Sequence, residues 1–223
     1  MKVIGCEVYA GSGAILEGVT RALILMLALA VLAPLRAQQA SAIDPAAVPI
    51  EQEPRHRLVF ANEYVRVIDA LLPPLYVSQN HTHTLDNVSV MILSGLDGAQ
   101  GQARVGFAGF SRGGYSHVIT NPNTAPMRFI AVELRARDAS GAGEEMPQPN
   151  HAVVLSNARV RITRVKLDAG QSIADHKHQA GYVSVVVRGT EGPGTWKWHG
   201  GAEAAASLAS GAQALEVVEV EPK

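Results

Sequence analysis

Two pairs of histidines stand at the same spacing in this chain, His81-Thr82-His83 and His176-Lys177-His178, 95 positions apart. On a strand, residues i and i+2 leave from one face about 7 Å apart, so His81 and His83 can aim two imidazoles at one point while Thr82 turns away. That is the beginning of a divalent-metal site, and a third ligand has to arrive from a neighbouring strand. The first half of the chain offers His117, within Gly114-Tyr115-Ser116-His117-Val118-Ile119-Thr120-Asn121. A centre of three neutral imidazoles leaves open positions for small molecules.

The histidine pairs belong to a longer internal repeat, in register and without a gap from His56 and His151 onward. Phe60-Ala61-Asn62-Glu63-Tyr64-Val65-Arg66-Val67 matches Leu155-Ser156-Asn157-Ala158-Arg159-Val160-Arg161-Ile162 in pattern, with Asn62 on Asn157 and Arg66 on Arg161. A repeat that carries a spaced histidine pair within an apolar frame requires chance twice over. The copies then diverge. Taking Gly200-Gly201 as the counterpart of Gly113-Gly114 sets Ala204 where His117 stands, and His199 falls at an offset that a continuous strand would turn to its other face. His176 and His178 therefore read as a vestigial second site, since two imidazoles hold a metal weakly. His56 and His151 read as surface or turn residues, Arg66 and Arg161 as outward-facing or locally paired. Tyr115, Phe107, Phe110 and Phe129 read as core or pocket lining.

The elements that must position these groups are strands. In the first half the expected runs are Arg57–Phe60, Val65–Leu72, Val88–Leu93, Arg104–Phe110, His117–Thr120 and Phe129–Leu134; in the second, Ala152–Leu155, Val160–Leu167, Tyr182–Val187, Thr195–His199 and Leu215–Val220. Short strands separated by Gly and Pro signals indicate a sandwich or barrel, and no stretch between them has the length and period of a crossover helix. The Ala-rich stretch 202–209 is compatible with a helical turn. The expected organisation is an extended arm at 43–54, a first domain at 55–134, a linker at 135–150 and a second domain at 151–223.

His81-x-His83, followed by Gly114-x2-His117-x3-Asn121, resembles the two metal motifs of the cupins, well over residues 55 to 135 and partially over 150 to 221. The resemblance implies an all-β fold of two tandem double-stranded β-helix (jelly-roll) domains, a bicupin. It also implies one divalent metal on His81, His83 and His117, with Fe preferred and Mn, Ni or Zn as alternatives. The family's glutamate would fall four or five places after the second histidine, where Asn87 and Val88 stand. Asp86 is the nearest acid, so a three-histidine centre and one with Asp86 as fourth ligand both remain open. Arg112 occupies the place of the proline expected before Gly114. The activity implied is that of a metal-dependent dioxygenase acting on a small chelating organic molecule. The competing class is a non-catalytic ligand-binding or structural cupin.

Residues 22–35 form an unbroken apolar stretch between Arg21 and Arg36, short for a bilayer span and suited to a secretory signal. Cleavage is expected after Ala42 or Ala37, and Val19 is a more ordinary start than Met1 because Glu7 and Glu17 stand where positive charge belongs. Removal of residues 1–42 takes away Cys6, the single cysteine, and leaves a periplasmic or secreted chain without a stable membrane anchor. The formal net charge of −1, with no run of Lys or Arg, gives no footprint for nucleic acid. The expected partner is a small-molecule substrate or ligand, and the expected state a monomer or homodimer.

Overall fold

The computed structural model describes residues 43–93, 103–109, 113–135, 148–178, 180–200 and 205–223. The apolar stretch 22–35 read as a secretory signal, Phe110 and most of the expected linker lie outside the described residues. All the described residues belong to one compact unit, Ala40–Lys223, and among them the only helical element is a 3-10 turn, Ile50–Gln52. No described helix is long and apolar enough to cross a membrane.

The first half contributes β1 (Val48–Pro49), β2 (His56–Ala61), β3 (Val65–Leu72), β4 (His81–His83), β5 (Asp86–Leu93), β6 (Arg104–Ala108), β7 (Tyr115–His117) and β8 (Met127–Leu134). The second contributes β9 (His151–Ser156), β10 (Val160–Leu167), β11 (Ser172–Lys177), β12 (Tyr182–Arg188), β13 (Trp196–His199), β14 (Ala205–Ala209) and β15 (Leu215–Pro222). One five-stranded sheet runs β2-β3-β8-β5-β6 and the other β9-β10-β15-β12-β13, which is the same order twice. Each half adds a small sheet, β1-β4-β7 in the first and β11-β14 in the second. Even the irregularities repeat: edge strands β2 and β9 are each bulged, past Val59 and past Val154, which twists an exposed edge away from further pairing.

Period-two alternation sorts the side chains of each large sheet. Val65 and Val67, Val88 and Val90, Ile130 and Val132 project from one face, and so do Val160 and Ile162, Val183 and Val185, Val218 and Val220. These residues of both halves form a single buried cluster, so the two large sheets share one core. Each such side chain is worth about 1.5–3 kcal/mol on burial. The opposite face of each sheet carries Asn87 and Glu133 in the first half and Arg161, Tyr182, Glu219 and Glu221 in the second, all buried.

Two sequence expectations change. The Ala-rich stretch, insofar as it is described, is strand β14, paired antiparallel with β11, because the backbone hydrogen bonds of β11 need a partner. That pairing sets Ala206, rather than Ala204, opposite His176, as His117 stands opposite His81. The arm at 43–54 lies against the small sheet: Val48 pairs in parallel with His81, Ile50 is buried with Ile68 and Ala131, and the Asp44 N–H donates to Ser116 Oγ.

Candidate metal centre

Strand β4 is three residues long and brings His81 and His83 to one side, both buried, while the Thr82 hydroxyl on the other side bonds Ser116 Oγ at 2.7 Å. Strand β7 lies antiparallel to β4 with His117 directly opposite His81. The close approach depends on Gly114: its φ is +111°, and a Cβ there would fall 2.3 Å from the His83 carbonyl oxygen. Beyond the strand, Asn121 is fully buried and its amide donates to the Leu72, Pro73 and Ala125 carbonyls, stapling the loop that follows the third histidine.

The ligand atoms of His81, His83 and His117 all lie within 4.8 Å of one another. Metal–nitrogen bonds of about 2.0–2.1 Å are within reach of such a set by small side-chain rotations. Nε2 of His81 and Nε2 of His117 are buried and make no hydrogen bond, an expensive state for a ring nitrogen unless an ion takes its lone pair. Burial lowers the pKa of His81 to about 4 and of His117 to about 3, helped at His117 by the neighbouring imidazoles. The neutral form so favoured is the form that binds a metal. The residues present fit a divalent ion.

Asp86 is not part of this group. Its Oδ2 accepts from Arg159 Nε at 2.5 Å, so the acid considered as a fourth ligand ties β5 to the second half of the chain. Asn87, at the family's glutamate position, is buried and donates to Ser89 Oγ at 3.2 Å. Tyr115 stacks on the His83 ring at 5.0 Å and 9°, and burial, with Glu133 adding, pushes its phenol up to about 12.

His56 is the residue that the sequence reading misplaced. It is buried, with its ring centroid 4.5 Å from that of His81, and its Nδ1 lies 2.5 Å from Glu53 Oε2. Glu53 is itself 1% exposed and also accepts from Tyr76 Oη and the Arg55 N–H. Burial raises the Glu53 pKa, but the bonds from His56, Tyr76 and Arg55 outweigh it and the net direction is down. A histidine that opens a strand just after Glu-Pro-Arg carries no local signal of burial, because the arm that covers it is placed by tertiary pairing. The repeat partner His151 keeps an exposed bond to Pro149 O at 2.7 Å.

Arg66 and Arg161 also face inward. Arg66 Nε lies 3.5 Å from Glu133 Oε2 and its guanidinium donates to Glu51, while buried Arg161 lies 3.5 Å from Glu221 Oε2. In the second half His178 is held between carboxylates, Nε2 at 3.4 Å from Glu219 and Nδ1 at 3.5 Å from Glu221, and it stacks on Tyr182 at 3.6 Å. Burial lowers its pKa, but the two carboxylates prevail and push it up to about 9. An imidazolium has no lone pair for a metal. The side chain of His176 lies outside the described residues. His199 is buried, stacks on Tyr182 and shares a 2.9 Å bond with Ser184 Oγ.

Two five-stranded sheets of identical order, each with a small companion sheet, and paired histidines on one short strand facing a third on its partner, complete the observation. The fold is that of the cupins. No protein-family model matches the sequence, and no curated protein matches it. Among solved structures, AerE from Microcystis aeruginosa is similar at 11% identity and a TM-score of 0.47, covering 77% of this chain and 98% of its own. A cupin 2 conserved barrel domain protein from Leptotrichia buccalis is similar at 10% identity and a TM-score of 0.42, over 75% and 88%. A mutant of salicylate 1,2-dioxygenase from Pseudoaminobacter salicylatoxidans, in complex with gentisate, is similar at 12% identity and a TM-score of 0.47, over 98% and 94%. The first half of the chain carries the candidate metal centre, and the second has an ion-paired histidine at the equivalent place.

Proposed function

We propose that the chain binds one divalent metal ion, iron by preference, through His81, His83 and His117, and acts as a dioxygenase-type enzyme on a small chelating organic substrate. The observation that carries the reading is the convergence of one ring nitrogen from each of three histidines within 4.8 Å, at residues where Nε2 of His81 and Nε2 of His117 are buried without a hydrogen bond. Bound iron would supply a centre at which dioxygen and a chelating substrate can meet. The chain's own residues do the rest. Burial keeps the imidazoles neutral, Tyr115 walls one side of His83 with a phenol that stays protonated at neutral pH, and Glu53 holds His56 against His81. The apolar segment at 22–35 supports export of the mature chain to the periplasm or beyond.

Metal analysis of protein purified from its native compartment tests the reading. One iron per chain is expected, with loss of that iron on His117→Ala and retention on Asp86→Asn. The iron-loaded protein is expected to consume dioxygen with a diketone, an enol or a thiol acid. Protein that holds no metal at all would instead support a non-catalytic ligand-binding cupin.

A further inference from the structure

We propose that Glu133 is the positioning carboxylate of the metal centre: from β8 it fixes His83 with the proton on Nδ1, so that Nε2 is the nitrogen presented to the ion. The inference rests on the metal reading above. The cupin resemblance leads one to expect a carboxylate at Asn87, and Asn87 pairs across the sheet with Glu133. The buried carboxylate here stands one strand sideways from Asn87. Glu133 is 1% exposed, and its Oε1 lies 3.2 Å from His83 Nδ1. A carboxylate only accepts, so Nδ1 must donate, and the lone pair of the neutral ring is left on Nε2. Glu133 lies outside the three-residue group that can share an ion, so it acts through His83 and not as a ligand. Arg66 Nε lies 3.5 Å from Glu133 Oε2, an ion pair without a hydrogen bond on the far side of the carboxylate. His81 is prepared in the same way by other means, its Nδ1 donating to Gln79 O at 2.9 Å.

The second barrel supplies the internal comparison. Register places Glu221 opposite Arg161 as Glu133 stands opposite Arg66, and Glu219 opposite Thr163 as Ala131 stands opposite Ile68. The Arg–Glu–His arrangement is therefore present in both barrels, but Glu219 covers the Nε2 of His178 where the first barrel has only Ala131. One carboxylate on Nδ1 prepares a ligand; a second on Nε2 abolishes it.

The test uses the full chain and two probe ions, Zn2+ and Co2+, with affinity measured by chelator competition. Histidine-ring 15N–1H spectra of the zinc form and the visible absorption of the cobalt form report the ligand geometry. Wild type should show His83 protonated on Nδ1 and metal-bound through Nε2, with the Nδ1 proton far downfield. Glu133→Ala should weaken both ions by about tenfold to a hundredfold, the range for loss of an outer-shell partner, and shift the cobalt bands. Should that variant not fold, Glu133→Gln preserves the volume, and its Nδ1 proton should move upfield as the acceptor loses its charge. Glu221→Gln should leave affinity and spectra unchanged. Wild-type affinity in Glu133→Ala, or an unmoved Nδ1 proton in Glu133→Gln, overturns the assignment while sparing the metal reading. A wild-type chain that takes up neither ion overturns both.

Discussion

His83 and His178 occupy equivalent places in the two halves of the chain, and each has a glutamate from the last strand of its large sheet beside Nδ1. What separates them is the residue two positions before that glutamate, Ala131 in one case and Glu219 in the other. The consequence for stability has a definite sign. With burial overcome by its two carboxylates, His178 has a folded-state pKa of about 9, above the unfolded value of about 6.5. Its stabilising contribution is complete below about pH 6.5 and is lost as pH rises through about 9. Denaturant unfolding should accordingly show a loss on the order of 1–3 kcal/mol across that window. Glu219→Gln removes one of the two carboxylates and should flatten the decline; an identical pH profile in the variant would count against the ion-paired description of His178. The sequence made His178 visible as half of a spaced pair, but nothing near it in the chain announces the two acids, which lie more than forty residues further on.

At the scale of elements, the candidate metal group depends on how closely two three-residue strands can lie. The β4–β7 pair has little hydrogen bonding of its own, and Gly114 lets β7 approach to a distance that any Cβ would forbid. Gly114→Ala should force β7 off β4, at a strain cost on the order of 1–3 kcal/mol. Metal stoichiometry should fall well below one while the β-rich far-UV spectrum is retained. Gly113→Ala is the control: φ is +99° there too, but a Cβ would meet nothing within 4 Å, so it should suffer backbone strain alone and keep its metal. Full metal occupancy in Gly114→Ala would show that the close approach is not required. The strands β3 and β10 were legible to the residue, because each is a run of eight rich in apolar and β-branched residues, too short for a helix and bounded by turn signals. The short strand β11 and the Ala-rich β14 were not, because Ala fits helix or strand and only a partner decides.

At the scale of the whole molecule, the two halves of the chain are joined by the core that both large sheets share, and by contacts around it. Phe60 packs on Trp196 at 5.7 Å and Tyr64 stacks on Trp198 at 5.8 Å, while Arg159 pairs with Asp86 and Arg164 donates to Ala103 O at 2.6 Å. Neither half buries its apolar sheet face alone, so calorimetry should show one cooperative transition for the chain; two resolved transitions would contradict a common core. The all-β class, the duplication, and the identity of His81, His83 and His117 as the group to watch followed from the sequence by itself, because period and spacing are local properties that strand geometry converts directly into faces. Tertiary structure decided which side chains meet on those faces. It sent Asp86 to Arg159, drew His56 in beside His81, set Glu133 behind His83 and closed His178 between Glu219 and Glu221. Each of these pairings follows from strand register or from the packing of one element over another, and periodicity along a single strand reveals the face of a residue but not the neighbour it finds there.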